Sequence, residues 1–220
     1  MPDNPHLLAP VTRYGADEAD ASLVVLALHG RDQDPAFMQG VAERVDLPQL
    51  AWRLPAADDR SWYPLSFLAA VADNEPRLSY ALEAVAHQRS DLAAAGVGPE
   101  RLVLLGFSQG AVVLAEHLVR TADPCAGAVL LTGGHVGPPG TVRTASGDLR
   151  SMPVLLGSAE ADALVPIARV QETAALLEVL GARVELEVYD DLEHLVSDLA
   201  VASTRRVLRQ LLSRTPARGR

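Results

Sequence analysis

Lysine is absent from this chain of 220 residues, and all 19 basic side chains are arginine. That absence excludes Schiff-base chemistry and a serine activated by a lysine, so a general base has to come from histidine, aspartate or glutamate. Cysteine is almost as scarce. Cys125 stands alone, which rules out an internal disulfide and is unsuited to a thiolate metal cluster. Aromatic residues make up only 4%. No segment approaches the ~20 consecutive apolar residues that span a bilayer. The opening Met1-Pro-Asp-Asn-Pro lacks the basic start and apolar stretch of a secretory signal. A cytoplasmic protein with no membrane partner is therefore expected. Positive charge is in deficit as well. The net charge of −9 opposes binding to phosphate backbones, which needs a basic face that releases counterions. Nucleic acid is not an expected partner.

What is present is ordinary for a globular enzyme: 49% hydrophobic and 21% charged residues. The length suits one core, since cores split only beyond roughly 250 residues, so residues 1–220 are read as a single domain. Short apolar runs at 23–28, 50–54, 102–107, 128–132, 154–157 and 184–189 have the length and β-branched content of central, buried strands. Between them lie stretches of helical period. Leu78, Leu82 and Val85 share one stripe, with Asp73 or Asn74 as the expected cap, Pro76 in the first turn and Gly96 at the end. Another helix is expected after Pro166, closed by Gly181, and a last one from about Val196 to Leu212, with Asp198 early and Arg205, Arg206 and Arg209 late, as the helix dipole favours. Residues 133–147, rich in Gly and Pro, read as one long surface loop, and the arginine-rich tail beyond Leu212 as frayed. Strands alternating with helices predict a doubly wound α/β domain, a mostly parallel sheet with helices on both faces. In such a sheet chemistry is sought just after the strand ends.

The run 102–107 leads directly into Gly106-Phe107-Ser108-Gln109-Gly110 and then the apolar helical stretch 111–118. A G-x-S-x-G placed between strand and helix is a nucleophile elbow: the glycines permit the sharp turn that exposes the serine hydroxyl at a helix N-terminus. Serine needs a base, normally an imidazole held by a carboxylate. Of the later histidines only His194 closely follows a strand; His117 falls within the helix after Ser108, and His135, in the long loop, is second choice. Asp162 is the expected acid, with Glu160 in the same loop as substitute, while Asp190 and Asp191 cap or solvate the turn before His194. Two backbone N–H groups should receive the developing oxyanion. Gln109 supplies one and Arg31, in His29-Gly30-Arg31-Asp32 after the first strand, the other. His29 then braces that loop. Trp62, Tyr63 and Phe67 stand out among so few aromatics as an acyl or aromatic pocket, and core packing fits them equally well.

These residues together resemble the phospholipase/carboxylesterase family: Leu28-His29-Gly30-Arg31, Gly106 to Gly110 with Ala111, the Asp162 loop ending in Val165-Pro166, His194, and also Ser61-Trp62-Tyr63-Pro64 and Asn74-Glu75-Pro76. The resemblance implies a compact α/β-hydrolase with no large lid that cleaves esters or thioesters without a cofactor or metal. Two positions depart from the family pattern, where glycine is frequent: Asp32 after the HGR triplet and Glu193 before the histidine. The expected partner is a small-molecule ester; a homodimer is the one protein assembly left open. A dienelactone-type lactonase ranks lower, because that family usually carries a cysteine at the elbow and Cys125 lies elsewhere. A non-catalytic receptor on the same fold is the reading from another class, and Glu116-His117 and Glu193-His194 lack the helical H-x-x-x-H pair of a metal hydrolase.

Overall fold

A computed structural model describes residues 4–141, 143, 146–190 and 193–214. Residues 1–3 of the opening segment, Asp191 and Leu192, three positions of the 133–147 loop, and the tail beyond Arg214 lie outside the described residues. In chain order the elements are α1 (Pro5–Leu8), β1 (Val11–Gly15), β2 (Leu23–Leu28), α2 (Pro35–Val45), β3 (Leu50–Pro55), α3 (Arg77–Ala94), β4 (Leu102–Phe107), α4 (Gln109–Thr121), β5 (Gly127–Leu131), β6 (Pro153–Ala159), α5 (Ile167–Val179), β7 (Arg183–Tyr189) and α6 (Asp198–Arg214). The strands form one sheet in the order β1-β3-β2-β4-β5-β6-β7. Only β1 runs antiparallel to its neighbour; the other pairs are parallel.

The continuous apolar runs have a direct cause. In β4, Leu102 and Leu104 enter the core beneath α3, α4 and α5, while Val103, Leu105 and Phe107 enter the core beneath α2 and α6. Strands covered on both faces have no polar side to alternate with. β7 departs from the expectation of a central strand. It is a sheet edge in which exposed and half-buried residues alternate from Arg183 to Leu186 before the strand ends on the buried Tyr189, the start of it showing the period-2 pattern of a strand with one wet face. The loop that starts at Thr132 differs from its expected surface position in its first part, since residues 132–137 are buried, while Pro138, Pro139 and Gly140, and later Ser146 and Gly147, are exposed. Arg169 Nη1 donates to His135 O (2.9 Å) and Gly137 O (2.7 Å), and Val136 N donates to the buried Glu116 carboxylate (3.1 Å). These bonds replace water for a backbone that would otherwise be costly to bury.

Neither Asp73 nor Asn74 caps α3, which starts at Arg77 behind Pro76 with no capping side chain. Asn74 instead accepts from Leu65 N (2.9 Å) and donates to Ser66 O (3.0 Å). It holds a strap at residues 61–67. Registers bring the strand ends together: Leu28 pairs with Gly106, Phe107 with Leu131 and Ala159 with Tyr189. The segments that follow β2, β4, β5, β6 and β7 therefore meet along one edge of the sheet.

Candidate active site

Ser108 sits between β4 and α4 with φ 52° and ψ −121°, a backbone conformation that costs a side-chain-bearing residue about 1–3 kcal/mol. The packing around it holds that conformation. A Cβ on Gly106 would lie 2.6 Å from Ala111 N, and one on Gly110 would collide with the Leu28 carbonyl. Only glycine lets α4 start this close to the sheet. The turn places Ser108 at the N-terminus of α4, where the helix dipole and unpaired N–H groups favour negative charge.

The structure brings Ser108, His194 and Asp162 into one line. His194 Nε2 is 2.7 Å from Ser108 Oγ, and His194 Nδ1 is 2.7 Å from Asp162 Oδ2. Asp162 is fixed by its own loop, its Oδ1 accepting from Leu164 N (2.8 Å) and Val165 N (3.0 Å), which leaves Oδ2 for the imidazole. With Nδ1–H donated to the carboxylate, Nε2 is an acceptor for the Ser108 hydroxyl. Phe107 packs against the imidazole at a ring-centroid distance of 5.2 Å and against Phe37 at the same distance. Phe107 is the variable residue of the elbow motif, and its place as the last strand residue on the α2/α6 face was its only sequence signal. Glu160 and Asp190 are exposed and hold neither histidine nor serine.

The loop after β2 reaches the same point. A Cβ on Gly30 would sit 3.1 Å from Ser108 Cβ. Gly30 N donates to Gln33 Oε1 (2.8 Å), whereas the N–H groups of Arg31 and Gln109 have no acceptor among the described residues. His29 is fully buried, its Nδ1 bonded to Gly30 O (2.7 Å) and its Nε2 accepting from Ala57 N (3.0 Å). Burial lowers its pKa, and the ring braces the loop. Asp32 takes the left-handed conformation, φ 61°, with its side chain exposed. Glu193 is exposed too.

A cavity of about 330 Å³ opens beside Ser108, lined by Tyr63, Leu65, Phe67, Val112, Leu164 and Val165 among others. Trp62 does not line it. That indole is buried 5.3 Å from both His6 and His29, and its Nε1 donates to His29 O (2.9 Å). It is a wedge beneath the strap rather than a pocket wall. The other histidines lie elsewhere. His135 is bonded to Thr173 Oγ1 (3.0 Å), and burial together with Arg169 lowers its pKa to about 4. His117 lines a separate cavity of about 400 Å³ between α3 and α4 that holds none of Ser108, His194 and Asp162; burial and the Arg89 charge lower its pKa to about 4. Among the described residues no group of His, Cys, Asp and Glu is arranged to hold a metal ion, and no helix is long and apolar enough to cross a membrane.

A serine at a strand-to-helix elbow, on a mostly parallel sheet covered on both faces, defines the α/β-hydrolase fold. The chain belongs to the phospholipase/carboxylesterase family, whose pattern matches residues 16–212. A phospholipase/carboxylesterase from Dyadobacter fermentans is 31% identical, covers 91% of this chain and 96% of its own, and superposes with a TM-score of 0.86. A Bacillus cereus carboxylesterase at 18% identity (TM-score 0.74; 93% and 95% covered) and one from Mesorhizobium loti at 19% (0.70; 87% and 91%) share the fold. No curated protein matches the chain. The family and these neighbours are hydrolases of the esterase type.

Proposed function

We propose that this protein is a serine carboxylesterase that hydrolyses small carboxylic esters through an acyl-Ser108 intermediate. The observation that carries the reading is the unbroken pair of 2.7 Å contacts from Ser108 Oγ through His194 to Asp162, set on a strained elbow. Ser108 Oγ attacks the ester carbonyl while His194 Nε2 takes its proton, and Asp162 holds the imidazole tautomer and stabilises the imidazolium. The carbonyl oxygen becomes an oxyanion facing the N–H groups of Arg31 and Gln109, each worth ~10²–10³ in rate. Collapse breaks the ester C–O bond, and His194 returns its proton to the departing alcohol. Water, deprotonated by the same nitrogen, then cleaves the acyl-enzyme to the free acid and Ser108. The acyl group lies in the cavity walled by Tyr63, Leu65 and Phe67.

The test is hydrolysis of p-nitrophenyl acetate and butyrate by wild type and Ser108→Ala, with peptide mass mapping after an organophosphonate. Wild type is expected to be active and to carry one adduct, on Ser108; the variant should lose at least ~10³-fold. An inert, unlabelled wild type would overturn the reading and favour a receptor on this fold. A lactone and thioester panel then ranks substrates, and activity confined to lactones would replace the ester reading.

A further inference from the structure

Building on the serine-esterase reading, we propose that the side chains of Arg31 and Gln109 are positioning groups: they couple the oxyanion hole to the strap at residues 61–67 that walls the acyl cavity. Both residues that offer an N–H to the oxyanion grip the same strap with their side chains. Arg31 Nη1 donates to Pro64 O (2.7 Å), and Nη2 to Tyr63 O (2.9 Å) and Leu65 O (2.7 Å); its guanidinium lies 5.8 Å from the Tyr63 ring centroid. Gln109 accepts from Trp62 N (2.8 Å) through Oε1 and donates through Nε2 to Tyr63 O (2.7 Å) and Ser61 Oγ (3.4 Å). Ser61 Oγ itself donates to Tyr63 O (2.9 Å). The Tyr63 carbonyl thus gathers three donors, one from each side of the hole and one from the strap.

These bonds are more than a means of keeping the strap attached. Asn74 holds Leu65 and Ser66, Trp62 Nε1 is tied to His29 O, and Gly137 N donates to Phe67 O (2.8 Å). Pro64 and Leu65 are exposed, so water can replace Arg31 on their carbonyls. Removing the guanidinium leaves the strap in place and severs its link to the Arg31 N–H. The hole has to be aimed within a fraction of an ångström to act, and the shared Tyr63 carbonyl sets the separation of its two halves.

The experiment compares Arg31→Met, Arg31→Lys, Gln109→Glu and the Arg31→Met/Gln109→Glu double variant on p-nitrophenyl acetate and hexanoate. Acetate is too short to lean on the strap, so its kcat reports the hole alone. Arg31→Met is expected to lower acetate kcat by ~10-fold or more, the scale of a misaligned oxyanion donor, with KM and thermal midpoint close to wild type. Arg31→Lys should not rescue it, because an ammonium cannot replace a planar fork spread over three carbonyls. Gln109→Glu keeps the helix N-terminus favourable but turns a donor into a second acceptor facing Tyr63 O, and should show the same kcat loss. The double variant should lose less than the product of the single losses, since both act on one carbonyl. A wild-type acetate kcat in Arg31→Met with only a raised hexanoate KM, full rescue by lysine, or strictly multiplicative losses would each overturn the coupling. If Arg31→Met does not fold, Gln109→Glu carries the same comparison. An inert wild type without Ser108 labelling would instead defeat the esterase reading itself.

Discussion

Asp162 fixes one carboxylate oxygen on two loop N–H groups and offers the other to His194. In Asp162→Asn the amide carbonyl keeps the loop bonds, and the NH₂ faces Nδ1. The imidazole proton is then driven to Nε2, where it cannot accept from Ser108. The expected result is a kcat lower by about 10⁴-fold with little change in KM or thermal midpoint; a loss below tenfold would remove Asp162 from its role. Asp32 is the converse case. Its left-handed φ suits glycine, aspartate tolerates it, and its carboxylate is exposed. Asp32→Gly should leave hydrolysis of neutral esters intact and change stability by no more than about 1 kcal/mol, relief of strain opposing the extra freedom of the unfolded chain; chemical denaturation checks it. Residues that end strands were legible in the sequence: Ser108, His194, Asp162 and the Gly30 loop all follow an apolar run. Trp62 stayed open between pocket and core, and fell to the core, because composition cannot tell which way an aromatic ring faces. The roles of Gln33, Asn74 and Phe107 could not be read, since a side chain bonded to a loop backbone group or stacked on an imidazole has no periodicity to follow.

The elbow is a contact between two elements, and its tolerance is set by their backbones. Gly110 brings the first turn of α4 against the carbonyls of Leu28 and His29 at the end of β2. Neither wall is a flexible side chain, so a Cβ there must displace the helix, the strand or both. Gly110→Ala should destabilise by roughly 1–3 kcal/mol, as overpacking does, and should also cut activity by misplacing Gln109 N–H and Ser108. A stable, fully active Gly110→Ala would show that α4 can slide without consequence. Six strands were readable because five are buried on both faces or close to it, and β7 still carried enough β-branched residues to be found. β1 was not, because Val11–Gly15 is an edge strand with no apolar run, its residues half-buried or exposed. α2 went unread although Asp34 caps it and Pro35 opens it; its apolar stripe of Met38, Val41, Ala42 and Val45 has the helical spacing but covers only two turns.

Across the whole molecule the buried histidines set an acid limit. Burial is the main cause that lowers His6, His117 and His135 to about 4, whereas the unfolded chain protonates them near 6.5. Folded-state values below the unfolded ones mean that their contribution is complete above about pH 6.5 and is lost as pH falls toward 4, where the unfolded state takes up protons that the native state refuses. Glu116 adds to this at lower pH. Burial pushes its carboxyl up, but Arg143 and Arg120, each 2.6 Å away, outweigh it and hold the value below the ordinary range. Calorimetry should find a thermal midpoint nearly flat above pH 6.5 and falling toward pH 4, a loss on the order of several kcal/mol, with a shallower slope in His135→Gln. A midpoint independent of pH across that window would contradict the burial of neutral histidines.

The central claim is a covalent acyl-Ser108 intermediate, and the direct measurement is rapid mixing of enzyme with p-nitrophenyl butyrate, acid quench and peptide mass mapping. With deacylation as the slower step, the account predicts a burst of nitrophenol of about one equivalent per chain and a butyryl group on the peptide that contains Ser108. Turnover with no burst and no acylated peptide at any quench time, retained at the wild-type rate in Ser108→Ala, would mean that water attacks the ester directly and that Ser108 is not the nucleophile.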